Sequence, residues 1–287
     1  MKISVFTTYT DPEKRNDPWK EALNCYEDFA DEVVVTGQNW PYEFSWELIG
    51  ETFQEGFEKT SGDWAIRMDI DYFFHQNSIK NLQKSLNKYS DFPGVIFPQY
   101  QFFTKDRFHL KTRLCVALNK KKFKNMRLNG GGDLCLATLN GELLSVNNLP
   151  NLNIPIFQYD SMFRTKKIIS EDRARFARAW HRHFNNYENR GGPSEKEAFN
   201  EWFKQIEAKY FFHTNKIQPS HHPVYIQNKL ESMKKEHFGY SAFGLKSNLK
   251  RTLPTYLKGK KELFFGGYIN NRSLYSSIYK YSILSIF

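Results

Sequence analysis

The sequence predicts an α/β fold: a mainly parallel, Rossmann-like sheet flanked by helices, followed by a helical C-terminal extension. Short apolar runs alternate with segments of helical period through the first hundred residues, the rhythm of parallel strands joined by crossover helices. Of 287 residues, 40% are hydrophobic and 17% aromatic, enough to fill one large core with a smaller appendage. Beyond the break at Gly191-Gly192-Pro193, Ser194 and Glu197 spell a capping box ahead of Phe199, Trp202, Phe203 and Ile206, so the extension reads as helical.

The chain opens on Ile3-Ser4-Val5-Phe6-Thr7-Thr8, a buried-strand candidate that breaks into a polar loop holding Asp11-Pro12 and Asp17-Pro18. Trp19, Leu23, Tyr26 and Phe29 then recur at the spacing of one helix face. Glu32-Val33-Val34-Val35-Thr36 is the second strand, stopped by Gly37. Trp46, Ile49, Phe53 and Phe57 form the next helical stripe, which ends at Ser61-Gly62, and Trp64-Ala65-Ile66-Arg67-Met68 is the third strand. Asn77 or Ser78 is placed to cap a helix carrying Ile79, Leu82 and Leu86, and Gly94-Val95-Ile96-Phe97 makes a fourth strand closed by Pro98. Residues 99–159 are less regular. Gly130-Gly131-Gly132 reads there as a turn, because neither Gly-x-Gly-x-x-Gly nor a Walker lysine accompanies it. A further helix is expected over residues 170–187.

The net charge of +10 hides an asymmetry: residues 1–100 carry 9 Lys/Arg against 17 Asp/Glu, and the remainder carries 32 against 14. Basic residues concentrate at 105–127 and 229–261, surfaces that attract phosphate or anionic lipid or that serve only as a solvated face. Cys25, Cys115 and Cys135 are too widely spaced for a disulfide framework or zinc cluster and read as reduced core thiols. No run reaches the eighteen apolar residues of a membrane span, and the polar start leads directly into a strand. The expected location is therefore the cytoplasm. The aromatic and aliphatic segment 263–287 either docks on the main domain or lies peripherally at the inner face of a membrane.

Strands in this order bind ligands beyond their carboxyl ends, and the third strand ends on Asp69-Ile70-Asp71. In an extended segment, residues two apart project to one side, so both carboxylates address one point. Hard oxygen donors of this kind suit Mn²⁺ or Mg²⁺, with phosphate oxygens completing the shell.

Residues 53–71, with the Phe53 and Phe57 helix, the Gly62-Asp63 turn, the apolar strand and Asp69-Ile70-Asp71, resemble the corresponding core of GT-A-fold glycosyltransferases, nearest to glycosyltransferase family two. The resemblance covers about the first hundred residues. It implies an inverting, hexosyltransferase-like enzyme moving a sugar from a nucleoside diphosphate donor to a glycan, lipid-linked or protein acceptor. It also implies a nucleotide-sugar-binding half at 1–98 and an acceptor-side half of the same domain at 99–190, and the capping box and basic run after the glycine break make 191–287 a basic helical extension. By position, Thr7, Thr8 and Tyr9 would line the nucleotide pocket, while Asp69 and Asp71 would contact ribose and metal-diphosphate. The chain departs from the family at Thr36-Gly37-Gln38, where an acid commonly holds the base, and at Ile156-Phe157-Gln158-Tyr159, where some relatives carry His-Tyr.

Inversion requires a carboxylate to take the acceptor proton. Asp133, Asp160, Glu171 and Asp172 are the candidates; Glu171-Asp172 resembles the family's Glu-Asp pair at a helix start. Arg67 either pairs with an acid or reaches a phosphate. His213, His221 and His222 offer a further metal ligand from the C-terminal side, and Tyr100, Phe102 and Phe103 offer stacking surfaces for an acceptor sugar. Two other classes stay in view: a nucleotidyltransferase, which normally opens with a Gly-rich signature absent here, and a basic nucleic-acid-binding protein. The acidic first hundred residues oppose the second, and no nucleic acid is expected.

Overall fold

The computed structural model describes residues 1–129 and 136–245, so Asp133, Cys135, the triple glycine and segment 263–287 lie outside the described residues. In chain order the elements are β1 (Ile3–Thr8), α1 (Trp19–Glu27), β2 (Glu32–Thr36), α2 (Glu47–Lys59), β3 (Trp64–Arg67), β4 (Tyr72–Phe74), α3 (Gln76–Lys88), β5 (Gly94–Thr104), β6 (Arg107–Asn119), β7 (Met126–Asn129), β8 (Leu136–Leu139), β9 (Glu142–Leu143), β10 (Ile156–Gln158), α4 (Lys166–Phe184), α5 (Glu195–Tyr210), β11 (Asn215–Lys216), α6 (Val224–Glu231) and α7 (Phe238–Ser241). The main sheet has the order β2-β1-β3-β6-β5-β10-β4, with β11 beside β6, and β7, β8 and β9 form a small second sheet. Strands β1, β2, β3, β5 and β10 run one way, and β6 and β4 run against them. This is the mainly parallel α/β architecture the sequence predicts.

Period two explains why these strands are apolar throughout. Ile3, Val5 and Ile66 join one core cluster with α1 and α3, while Phe6 and Ala65 join another with Phe53 and Phe57 of α2. Both sheet faces are covered, so neither needs polar alternation. Cys25 and Cys115 are free, and burial pushes both thiols up to about 12, as inert core residues require. A third cluster gathers Phe103 with Trp202 of α5 and Phe238 of α7, docking the C-terminal helices on the sheet.

Several boundaries shift for local reasons. His75 caps α3, accepting from the Asn77 N–H at 3.2 Å through Nδ1, so the helix starts before the expected Asn77 or Ser78. Residues 99–159, expected to be irregular, hold most of the long β5–β6 hairpin, whose register slips at three places and so breaks the alternation a sequence reader needs. Helix α4 begins at Lys166 behind a Thr165 cap, ahead of the expected residue 170. Glu171 and Asp172 thus sit beyond its first turn, where a helix N-terminus offers them little. The capping box at Ser194 and Glu197 is present in α5. Among the described residues no helix is long and apolar enough to cross a membrane.

Gly37 closes β2 at φ +73° and lets the next loop fold over the sheet edge. A β-carbon there would lie 2.3 Å from Thr8 Oγ1 and 2.7 Å from Trp40 Nε1. Gly37→Ala is therefore expected to lower stability by on the order of 2 kcal/mol and to displace Trp40, measured as a lower urea midpoint with altered tryptophan emission.

Candidate active site

The carboxyl ends of β1, β3 and β10 and the loop after β2 converge on one cleft. Thr8 and Tyr9 from β1, Trp40 from the β2 loop, Asp69 and Asp71 after β3 and Asp160 after β10 all line it. Trp40 is fixed by its backbone N–H donating to Thr10 Oγ1 at 3.1 Å and its indole N–H donating to Thr52 Oγ1 at 3.1 Å.

Asp69-Ile70-Asp71 is a tight turn rather than the expected extended segment. The Tyr72 N–H donates to the Asp69 carbonyl at 2.7 Å, and the chain reverses into β4. Both side chains still reach the cleft because the turn is held on three sides. The Met68 N–H extends the ladder to the Phe6 carbonyl at 3.0 Å, and the Tyr159 N–H ties the Asp71 carbonyl to the end of β10 at 3.0 Å. The buried Tyr26 hydroxyl donates to the Asp69 carbonyl at 2.6 Å and lies 3.1 Å from that of Tyr72. Tyr26→Phe keeps the ring and deletes this pin, so stability is expected to fall by about 1 kcal/mol, read as a lower thermal midpoint.

The acids of the cleft differ in electrostatic state. Burial pushes the Asp71 carboxyl well up, and Asp160 and Asp69 push it further. For Asp160, burial acts to raise the carboxyl, but Arg173, Lys111 and Arg164 outweigh it and hold it below the ordinary value. Gln158 stands between these groups, its amide accepting from Lys111 Nζ at 3.3 Å and donating to Asp71 Oδ2 at 3.5 Å. Gln158 therefore faces the Asp-x-Asp turn.

Asp172 belongs to an ion-pair network. Arg164 Nε donates to Asp17 Oδ1 at 2.7 Å and Arg164 Nη1 to Asp172 Oδ2 at 3.2 Å, while Arg15 bridges Asp17 at 3.1 Å and Asp172 at 3.3 Å. Burial opposes ionisation of Asp172, 4% exposed, yet Arg15, Arg164, Arg173 and Arg175 hold it at about 2. Such an acid is a weak proton acceptor. Glu171 lines a smaller neighbouring pocket with Lys14 and Tyr42 and pairs with Lys167 at 3.9 Å.

The other sequence candidates divide clearly. Thr7 is fully buried, as period two requires of a residue whose neighbour Thr8 faces the cleft. Arg67 is buried at 3% exposure, 4.0 Å from Asp69 Oδ1 and over the Phe53 ring at 5.0 Å, so it positions Asp69 from within the strand. The fully buried His222 lies between the Tyr159 hydroxyl and the Lys105 carbonyl, each at 2.8 Å, and His213 is stacked on Phe103. Neither reaches the cleft. Phe102 and Phe103 are fully buried core residues, and Tyr100 packs on Phe108. Sequence reading missed Tyr26, Trp40 and the Arg15–Asp17–Arg164 network, although the Pro-bounded loop after β1 was already at the ligand edge.

Among the described residues no three His, Cys, Asp or Glu side chains come together as a cage for an ion. The cleft instead offers a crowded set of hard carboxylate oxygens, with Asp71 the acid most in need of positive charge. This donor set fits Mg²⁺ or Mn²⁺ shared with a ligand's phosphates better than a closed structural site.

Fold and site together define an α/β protein with a polar, charged cleft at the carboxyl edge of its sheet. No protein-family model and no curated protein matches the chain. Solved structures align with the chain at low identity and low TM-score. One is a glycosyltransferase involved in the glycosylation of the major capsid of PBCV-1, 11% identical at TM-score 0.25, with 35% of this chain and 52% of that chain covered. Another is S. aureus TarS 1–349 in complex with UDP-GlcNAc, 10% identical at TM-score 0.32, with 94% and 93% covered. The same S. aureus protein in complex with UDP aligns at TM-score 0.29 and 11% identity, with 94% and 93% covered. The chain thus spans about half the length of the viral enzyme. At these scores the likenesses carry no functional inference.

Proposed function

We propose that this chain transfers a sugar from a nucleoside diphosphate sugar to an acceptor hydroxyl. The observation that carries the reading is the placement of Asp69, Asp71 and Asp160 with Arg15, Arg164 and Arg173 around one cleft at the ends of β1, β3 and β10. Acids alone would repel a diphosphate, and arginines alone would bind any anion; the combination suits a diphosphate carrying a divalent cation. Thr8, Tyr9 and Trp40 form the wall suited to the nucleoside, and Asp69 and Asp71 hold the diphosphate end. Asp71 with Asp69 would hold a Mn²⁺ or Mg²⁺, which would supply Lewis-acid stabilisation of the charge on the leaving diphosphate.

The base in this reading is Asp160. It lines the cleft at 25% side-chain exposure, whereas Asp172 is locked among arginines and Glu171 faces the neighbouring pocket. Asp160 takes the proton of the acceptor hydroxyl as its oxygen bonds to the anomeric carbon. The bond from that carbon to the diphosphate oxygen breaks, and its electron pair leaves with the diphosphate, inverting the centre. Donor phosphates that neutralise Arg173 where it stands raise the basicity of Asp160 at the moment it is needed.

A panel of sugar nucleotides with Mn²⁺ tests the reading. Wild type should turn over one donor class, and Asp160→Asn should lower kcat by about 10²–10⁴ with donor binding retained. Full turnover in Asp160→Asn would remove it as the base, and no turnover of any donor would remove the transferase reading.

A further inference from the structure

A second pocket adjoins the cleft and has a distinct chemistry. Its walls come from Trp46 beside α2, Arg173 and Phe176 of α4, Arg190 of the turn before α5, and Trp202 and Gln205 of α5. Arg173 and Phe176 line both spaces, so the two meet on the side of Asp160, whose Oδ1 lies 3.9 Å from Arg173 Nη2. Two indoles and two guanidiniums face this pocket, and its lining holds no carboxylate.

Rings pack beside both guanidiniums, and Arg173 Nη2 also lies 3.9 Å from a carboxylate oxygen of Asp160 and of Asp172. Arg190 lies 3.8 Å from the centroid of Trp180 and 5.4 Å from that of Trp46, and Arg173 lies 5.9 Å from that of Trp202. A guanidinium beside aromatic rings offers a planar fork of N–H donors, which can grip a planar carboxylate or a phosphate. Gln205 Nε2 donates to the Asn189 carbonyl at 2.5 Å, which fixes the pocket's amide. Trp46 and Trp202 are 7% and 8% exposed, so each offers an edge rather than an open face. Apolar ring edges beside fixed cations fit a ligand with C–H surface on one side and negative charge on the other.

We propose that this pocket binds an anionic sugar unit, carrying a carboxylate or a phosphate, of the acceptor. The assignment to an acceptor rests on the transferase reading above: a hydroxyl delivered to Asp160 puts the neighbouring unit of its chain against Arg173 and into this pocket. The binding chemistry itself does not depend on catalysis. It is therefore tested on the full chain without donor, by ligand-observed NMR titration with methyl glucuronide, glucose 6-phosphate and the neutral methyl glucoside.

At least one anionic probe should bind ten times more tightly than methyl glucoside, and the stronger of the two names the charged group. Gln205→Glu places a carboxylate among the arginines at a half-buried position and should weaken that binding at least tenfold. Arg190→Gln should do the same, and Arg190→Lys should restore only part of it because the planar fork is gone. Equal binding of the neutral sugar, or anionic binding that survives both Gln205→Glu and Arg190→Gln, overturns the proposal. A protein that binds the anionic sugar here yet turns over no nucleotide sugar refutes the transferase reading alone.

Discussion

Asp71→Asn is expected to have two opposite effects: turnover of the sugar nucleotide falls by on the order of 10³-fold, while the ligand-free protein melts at a higher temperature. Both follow from one fact, that burial, Asp160 and Asp69 press the Asp71 carboxyl well above its ordinary value. An acid raised in the folded state favours folding while it is neutral, and that contribution is lost as pH climbs through its folded value. At neutral pH the carboxylate is thus a cost carried by the ligand-free fold, which the amide removes. With Mn²⁺ and UDP added the order should reverse, because ligand that binds only the folded wild type raises its midpoint by mass action and the variant has lost that partner. Scanning calorimetry of both proteins with and without Mn²⁺ and UDP reads all four values. A variant that melts lower than wild type without ligand, or that gains equally from Mn²⁺ and UDP, contradicts this account.

The same crowding explains what a reader of the sequence sees and misses. Strand and helix periods are local, and they disclose β1, β2, β3 and the helices between them, because Val5, Phe6 and Ile66 need only their own neighbours to read as buried strand. The Asp-x-Asp pair is legible for the same reason: it stands where an apolar run ends. Asp160 and Arg164 are joined to Asp71 and Asp17 only by the return of β10 to the edge of β5, a pairing between residues far apart in sequence. No spacing rule encodes that. Asp172 is a candidate through the resemblance of Glu171-Asp172 to a Glu-Asp pair at a helix start; α4 begins a turn earlier, at Lys166, and that acid faces Arg15 and Arg164 instead of a helix terminus. The acceptor-side aromatics failed for a simpler reason. Phe102 and Phe103 lie on a strand with both faces covered, while Trp46 and Trp202, which do face a pocket, come from segments that meet only after α4 and α5 have packed.

Arg164→Met carries the second large effect, on stability. Arg164 is 9% exposed and holds two carboxylates, Asp17 and Asp172, each 6% exposed or less. Replacing it with an apolar chain of similar length leaves Asp172 to Arg15 and Arg173 and strips Asp17 of its shortest contact, at 2.6 Å. Removing one partner of a buried pair costs about 3–5 kcal/mol, far more than the net worth of an intact pair. The loss should depend on pH in a stated direction. In wild type Asp172 is held at about 2, below its value in the unfolded chain, so its contribution is full above the unfolded value near 3.8 and is lost as pH falls toward 2. That contribution is on the order of 2 kcal/mol. In Arg164→Met the Asp172 carboxylate is poorly compensated and accepts a proton at higher pH than in wild type, so acid costs the variant less than it costs wild type. Urea midpoints taken from pH 7 down to pH 3 should therefore converge. A gap that stays constant over that range would mean that Arg164 stabilises through the packing of its side chain, with the two aspartates indifferent to its charge.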